Sequence, residues 1–280
     1  MSWMIVADSA ADLPLDFPVA NGVSHALATI IMTIGDREFR DDAYLDIAEM
    51  LDAADAYPDA SSSACPSVEE WATAFRKADN SIAITVSSTV SGSYNSALVA
   101  KGLVLEETPE KNIHIVDSIS TCGALTLTAR KTNELIAEGL SFEEVKEKIS
   151  TYNDSMRTLF TLSSFDNLIK NGRIGKLVGF AAGILKIRAV GRGTEQGELG
   201  VMHKLRGEEN AYTKLVDEMA NLKDPETYGP VIVAHCFNEN GALFIKNLIE
   251  ERYPKAVVEI RTTGGMNSFY AYRSGIIVGF

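Results

Sequence analysis

The sequence is short of cysteine, of basic charge and of long apolar runs. Its three cysteines, Cys65, Cys122 and Cys236, form no Cys-x-x-Cys and make an odd number. That argues against a disulfide framework and for a reducing compartment. Lysine and arginine number 26 against 38 aspartates and glutamates, a formal net charge of −12. A surface that acidic repels phosphate backbones and anionic membranes, so no nucleic-acid partner is expected. It does not repel a small anion that enters a local nest of backbone donors. The longest strongly apolar stretch, Leu177 to Leu185, has nine residues, whereas a membrane span needs about twenty. Met1 to Asp8 carries no basic segment ahead of its apolar residues. No signal peptide is therefore expected, and the expected location is the cytoplasm.

Several catalytic signatures are missing as well. There is no Walker A sequence and no Gly-x-Ser-x-Gly, so a phosphate loop and a strained nucleophile elbow are both unsupported. His25, His114, His203 and His235 are dispersed and show no metal spacing. Asp8, Asp12, Asp41 and Asp42 suit a cation, but acidic turns and helix starts explain them equally well. Gly191-x-Gly193-x-x-x-Gly197 has the wrong spacing for a dinucleotide loop and precedes a strand, so it reads as a hairpin turn. Neither a cofactor nor a metal is expected. Cys122 opens a helix, where a lowered pKa is conceivable, but a buried inert thiol is the better reading.

What is present is an α/β pattern. The 280 residues are 46% apolar, enough for one large core or two modest ones. Short Ile/Val/Thr-rich runs at Trp3–Ala7, Ala26–Met32, Ser81–Val86 and Asn112–Asp117 alternate with helical stretches. Ser67 with Glu70, and Ser141 with Glu144, have capping-box spacing. This rhythm predicts right-handed crossovers and a mainly parallel sheet covered on both faces. After about residue 155 the pattern changes to a hairpin around Gly191–Gly197 and further strands, a mixed α/β layer. The expected division is residues 1–155, carrying serine-rich loops, and 156–280.

Two loops could carry chemistry. Ser87 to Ser93 places five hydroxyls and a glycine between a buried strand and a helix start. In an open α/β sheet the ligand crevice lies beyond the carboxyl ends of the strands, and a helix start attracts an anion. Simple N-capping by Ser88 or Ser91 is the rival explanation, although one cap does not require a run of serines. Ser62-Ser63-Ala64-Cys65-Pro66-Ser67 repeats the arrangement ahead of a capped helix.

At this point the residues resemble the DegV family, bacterial fatty-acid-binding proteins, over nearly the whole chain. Ile5 to Pro14 looks like the family's opening strand and turn. Ser63-Ala64-Cys65-Pro66-Ser67 stands loosely where the family shows Thr-Ser-Gln-Pro-Ser. Ser87 to Ala97 closely resembles its Ser-Ser-x-x-Ser-Gly-Thr-Tyr-x-Ser-Ala motif. Val116-Asp117-Ser118, Lys170-Asn171-Gly172-Arg173-Ile174-Gly175 and Lys204-x-Arg206-Gly207 also fit. The resemblance implies two α/β domains with a long-chain fatty acid, C14–C18, buried between or within them. It implies a carboxylate held at Ser63, Ser91 and Gly92, with Ser93 a further candidate. It also implies a carrier without catalytic residues that presents the acid to a separate fatty acid kinase.

One departure bears on that picture. Many relatives have a His-x-Gly-Pro-Gly loop near the C-terminus, and here Thr262 to Gly275 contains no histidine. Asn267, Ser268, Tyr270 and Arg273 are the candidate replacements; packing of the final strands accounts for the aromatic residues equally well. The missing histidine weighs against the kinase partnership more than against lipid binding. An enzyme, hydrolase or phosphotransferase, and a module for another small anion stand as alternatives at the same loops. The carrier reading predicts an apolar pocket leading away from Ser63 and Ser91. Its candidate walls are Phe160, Leu162, Phe165, Leu168, Ile169 and Ile174, and further along Phe180, Ile184 and Leu185. Ordinary core packing suits the same pattern.

Overall fold

The computed structural model describes residues 1–174 and 187–280. Strand β1 (Trp3–Asp8) is buried from Met4 onward, as its continuous apolar run requires of a parallel strand covered on both faces. β2 (Val23–Ala28) lies parallel to it. The sequence pattern predicts one strand from Ala26 to Met32, but the chain breaks at Thr29-Ile30. Ile31–Ile34 is a separate strand, β3, in a different sheet. The break is held from two sides: the Ile30 amide donates to Ser9 Oγ at 3.0 Å, and the Asp41 amide donates to the Ile30 carbonyl at 2.9 Å. β4 (Arg37–Arg40) completes the hairpin through Gly35, at φ +62°.

Helix α1 (Ile47–Ala56) starts at Asp46, whose carboxylate accepts the Glu49 amide. The polar stretch before Ser63, which reads as a loop, ends in a short strand, β5 (Ser62–Ala64), paired antiparallel with β3. Pairing with an otherwise open edge makes this a strand; its side-chain pattern does not. α2 (Val68–Arg76) opens with the expected Ser67–Glu70 capping box. β6 (Asn80–Thr85), α3 (Ser93–Glu107) and β7 (Asn112–Asp117) follow. They complete an all-parallel sheet of order β2-β1-β6-β7. α4 (Gly123–Ala137) and α5 (Phe142–Asp154) come next, the latter from the Ser141–Glu144 capping box. Alternation along β1 sorts the two faces. Met4 and Val6 pack with Trp71, Phe75 and Ala100 of α2 and α3. Ile5 and Ala7 pack with Leu125, Val145 and Ile149 of α4 and α5.

The second half carries a six-stranded mixed sheet. Its elements are β8 (Thr158–Leu162), α6 (Asp166–Lys170), β9 (Ile187–Gly193), β10 (Leu199–Arg206) and α7 (Glu208–Leu222). There follow β11 (Pro230–His235), α8 (Glu239–Arg252), β12 (Val257–Thr262), α9 (Gly265–Ala271) and β13 (Ile276–Gly279). The order is β10-β9-β8-β13-β11-β12, with only β11 and β12 parallel. α7 and α8 cover one face through Leu215, Met219, Ile245 and Ile249. The other face, with Phe160, Leu162 and Ile277, turns toward Ala124 and Leu127 of α4 and so toward the first half. The two larger sheets share no strand. Helix α9 has no signal in the sequence pattern; it is seven residues long and its cap, Gly264, provides no side chain.

Candidate functional site

A cavity of about 340 Å³ lies where the loops after β6 and β7 meet that face of the mixed sheet. This is the position an open α/β sheet offers a ligand, and the volume falls within the usual range of small-molecule sites. Val86, Ser91 and Thr121 represent the two loops, and β8 supplies Thr158, Phe160 and Leu162. These three are alternate residues, which a strand presents on one face. Two glycines of the hairpin make the close approach workable. Gly191 lies opposite Phe160 across β8 and β9, where a Cβ would overlap the Phe160 ring. Gly197, at φ +82°, accepts the Ser87 hydroxyl on its carbonyl at 2.8 Å.

Polar groups collect at the more exposed end. Ser63, on β5, and Tyr270, on α9, join hydroxyls at 2.7 Å across 207 residues of sequence. Ser91 and Gly92 line the same cavity at the start of α3. That helix has no side-chain N-cap and no acid in its first turn, although the Asp8 carboxyl accepts the hydroxyl of its first residue, Ser93; a helix start of this kind carries the positive end of the dipole. Neither Ser88 nor Ser91 is the cap; Ser91 Oγ instead accepts the Ser93 amide at 3.2 Å. The Ser91 hydroxyl proton has no acceptor among the described residues. α2 differs: its capping box and Glu69 and Glu70 already satisfy its start, so the first serine loop contributes Ser63 and no free helix end.

The structure sets the other candidates apart. Ser93 is fully buried and donates to Asp8 Oδ2 at 2.5 Å, away from the cavity wall. Ser268 is buried against Thr263, with their hydroxyls 2.7 Å apart. Arg273 pairs with Asp52 and Asp55 of α1 and lies over the Phe237 ring. Asn267 does line the cavity, but its amide is fully engaged. It donates to the Ala10 carbonyl and to Asp12, both at 2.9 Å, and accepts from Thr121 at 2.9 Å. Among the expected apolar walls, Phe160, Leu162 and Leu168 line the cavity. Phe165 and Ile174 are buried in the adjoining core and Ile169 is exposed. Phe180, Ile184 and Leu185 lie outside the described residues. Cys65, Arg173, Ser120 and Thr158 are wall residues beyond those the sequence pattern predicts. Arg173 stood inside a motif already noted, and its positive charge was the available signal.

Three carboxyl groups are bonded to residues around the site, brought there by tertiary contacts and by no local sequence signal. Asp8 also accepts the Val86 amide at 2.8 Å, and burial pushes its pKa up to about 7 against the opposing bonds from Ser93 and Val86. Asp12, held by Asn267 and Cys122, is raised to about 7 by burial and then by nearby Asp41. Asp41 accepts the Gly265 and Met266 amides at 2.6 and 3.0 Å and is raised to about 6 by burial. Asp12 and Asp41 fasten the start of α9 to the first half of the chain, whereas Asp8 ties β1 to Val86 and to Ser93 at the start of α3. Burial also raises the Cys122 thiol well above its usual range, with Asp12 adding to it; the thiol is inert. Among the described residues, no group of three metal-ligating side chains occurs, and no helix is long and apolar enough to cross a membrane.

The fold and site together define an α/β protein with an apolar cavity closed by hydroxyl and amide donors. The family model described as uncharacterised protein, DegV family, matches residues 2–274, and the chain belongs to that family. A DegV domain-containing protein of Streptococcus pneumoniae is 39% identical over 281 residues, covering 100% of this chain and 99% of the relative. The crystal structure of the S. pneumoniae Fatty Acid Kinase (Fak) B3 protein loaded with linoleic acid superposes with a TM-score of 0.94 at 38% identity. That match covers 100% of this chain and 99% of the other. A DegV family protein from Eubacterium eligens, loaded with heptadecanoic acid, gives 0.90 at 33% identity over 99% of each chain.

Proposed function

We propose that this protein binds a long-chain fatty acid, C14–C18, with its carboxylate at Ser63, Ser91, Gly92 and Tyr270 and its chain along Phe160, Leu162 and Leu168. The observation that carries the reading is the pairing of an apolar cavity with a helix start that lacks a side-chain N-cap and a wall hydroxyl, Ser91, whose proton has no acceptor among the described residues. A carboxylate accepts such donors more strongly than a neutral group does. Arg173, the one cationic side chain on the wall among the described residues, adds favourable potential for an anion. Ser93, Ser268 and Asn267 act by holding the loops in place. The same reading divides the chain near 155/156 into a half with the serine-rich head-group loops and a half that contributes Tyr270 and the tail wall; the unshared sheets support it.

The protein is a carrier without catalysis in this reading. Among the described residues, no histidine or carboxylate lines the cavity, so Ser63 and Ser91 have no base to activate them. A cytoplasmic location and presentation of the acid to a fatty acid kinase complete the proposal; the similarity to the Fak B3 protein supports the kinase link. Native mass spectrometry of the purified protein, followed by lipid extraction, tests it. A co-purifying C14–C18 acid is expected. Turnover of acyl esters blocked by a serine-reactive phosphonate would instead establish an enzyme, and a phosphate-bearing ligand without lipid would establish a different anion module.

A further inference from the structure

Ser63, Ser91 and Tyr270 are not the only hydroxyls on the cavity wall. Ser120, in the loop after β7, and Thr158, the first residue of β8, both line the cavity and are only 8% and 4% exposed. Their hydroxyls are hydrogen-bonded to each other, and neither has another partner among the described residues. Two hydroxyls bring two protons and four lone pairs. The mutual bond engages one proton, and the second has no protein acceptor there.

The backbone that carries each side chain is held in place. The Ser120 amide donates to Ser118 Oγ at 3.1 Å, and its carbonyl accepts the Ser87 amide at 3.0 Å. Thr158 is set by register with Gly279 and lies on the same face of β8 as Phe160 and Leu162. The same wall carries the apolar side chains of Ile119, Phe160 and Ile277. A plain methylene chain packed against the pair leaves a buried donor unsatisfied, which is unfavourable. A double bond answers it only weakly, since hydrogen bonds to π systems are second-order.

We infer that Ser120 and Thr158 form a specificity site for an acyl chain bearing an in-chain hydroxyl group, made of residues other than those proposed for the carboxylate. This rests on the fatty-acid reading above and narrows it to a substrate class. The hydroxyl of the ligand accepts the unengaged proton and donates to a free lone pair of the pair. It is held at one height along the cavity, so only one narrow range of chain positions fits.

The test is a titration of wild-type protein with octadecanoic acid, cis-9-octadecenoic acid and a series of positional isomers of hydroxyoctadecanoic acid. One isomer, or two neighbouring ones, should bind tighter than the other isomers by about 2- to 12-fold, the range of one net neutral hydrogen bond. In Ser120→Ala/Thr158→Val that peak should vanish, leaving the isomer series flat. Thermal melting of the variant reports whether it folds; if it does not, the wild-type isomer series decides alone. A flat isomer series in the wild type, or a peak that survives in the folded variant, would overturn the inference. So would tighter binding of the octadecenoic acid than of every hydroxy isomer. If octadecanoic acid still binds in those cases, the fatty-acid reading stands. If no acyl chain binds the wild type, both readings fall.

Discussion

Replacing Ser91 by alanine separates the role of the head group from that of the tail. Among the described residues the Ser91 hydroxyl proton has no acceptor, while its oxygen accepts the Ser93 amide at 3.2 Å. Burying about 14 methylenes, at roughly 0.8 kcal/mol each, gives a gross term near 11 kcal/mol before the costs of association. One hydrogen bond to a charged carboxylate contributes about 1.5–3 kcal/mol. Ser91→Ala should therefore weaken fatty acid binding by about 10- to 150-fold without abolishing it. A fatty alcohol of equal length loses only a neutral bond, about 2- to 12-fold. The Ser93 amide also loses its local acceptor, so a small drop in melting temperature is expected for the free protein and applies equally to both ligands. Calorimetric titration of acid and alcohol against wild type and variant reads the difference. Equal losses for the two ligands would show that Ser91 supports the loop and does not hold a carboxylate.

The buried carboxyl groups predict an unusual pH dependence. Asp8 and Asp12, raised to about 7, and Asp41, raised to about 6, keep protons that the unfolded chain releases near pH 4. Their contribution to stability is therefore full at low pH and falls as pH rises through about 4 to 7. Asp8→Asn should flatten that slope by up to one proton, about 1.4 kcal/mol per pH unit, in urea denaturation between pH 5 and 8; an unchanged slope would assign the titration elsewhere. Phe160→Ala removes the ring that faces Gly191. It should cost about 3–5 kcal/mol of stability and move the preferred chain length upward in a C14–C22 binding series. An unchanged optimum would place the chain elsewhere. Hydroxyl and amide donors need no cation, so EDTA should leave fatty acid affinity unchanged; a loss restored by a divalent ion would contradict the site chemistry.

Most of the first half was legible because its signals are local. The strand–helix rhythm gives the parallel sheet, and Ser67–Glu70 and Ser141–Glu144 form the capping boxes their spacing announces. What escaped depends on distant partners. β2 and β3 read as one strand because the break at Thr29-Ile30 is held by Ser9 and Asp41, not by a turn residue. β5 is a strand only because β3 lies beside it, and α9 begins where Asp41 accepts two of its amides. The same limit applies at the site. Ser63, Ser91, Gly92 and Tyr270 do converge on the cavity, but a run of serines does not disclose which hydroxyls face inward. Ser93 is two residues from Ser91 and points to Asp8 instead. Arg273 is drawn off by Asp52 and Asp55, carboxylates more than two hundred residues away in sequence.

The most direct test of the account is a crystal structure of the protein with an ω-bromo long-chain fatty acid, whose bromine marks the chain end independently of the carboxylate. The account predicts a carboxylate oxygen within about 3.2 Å of Ser91 Oγ and the chain along the β8 face past Phe160. Bromine density at Ser63 and Tyr270 with the carboxylate at the opposite end, or a ligand outside this cavity, would contradict it.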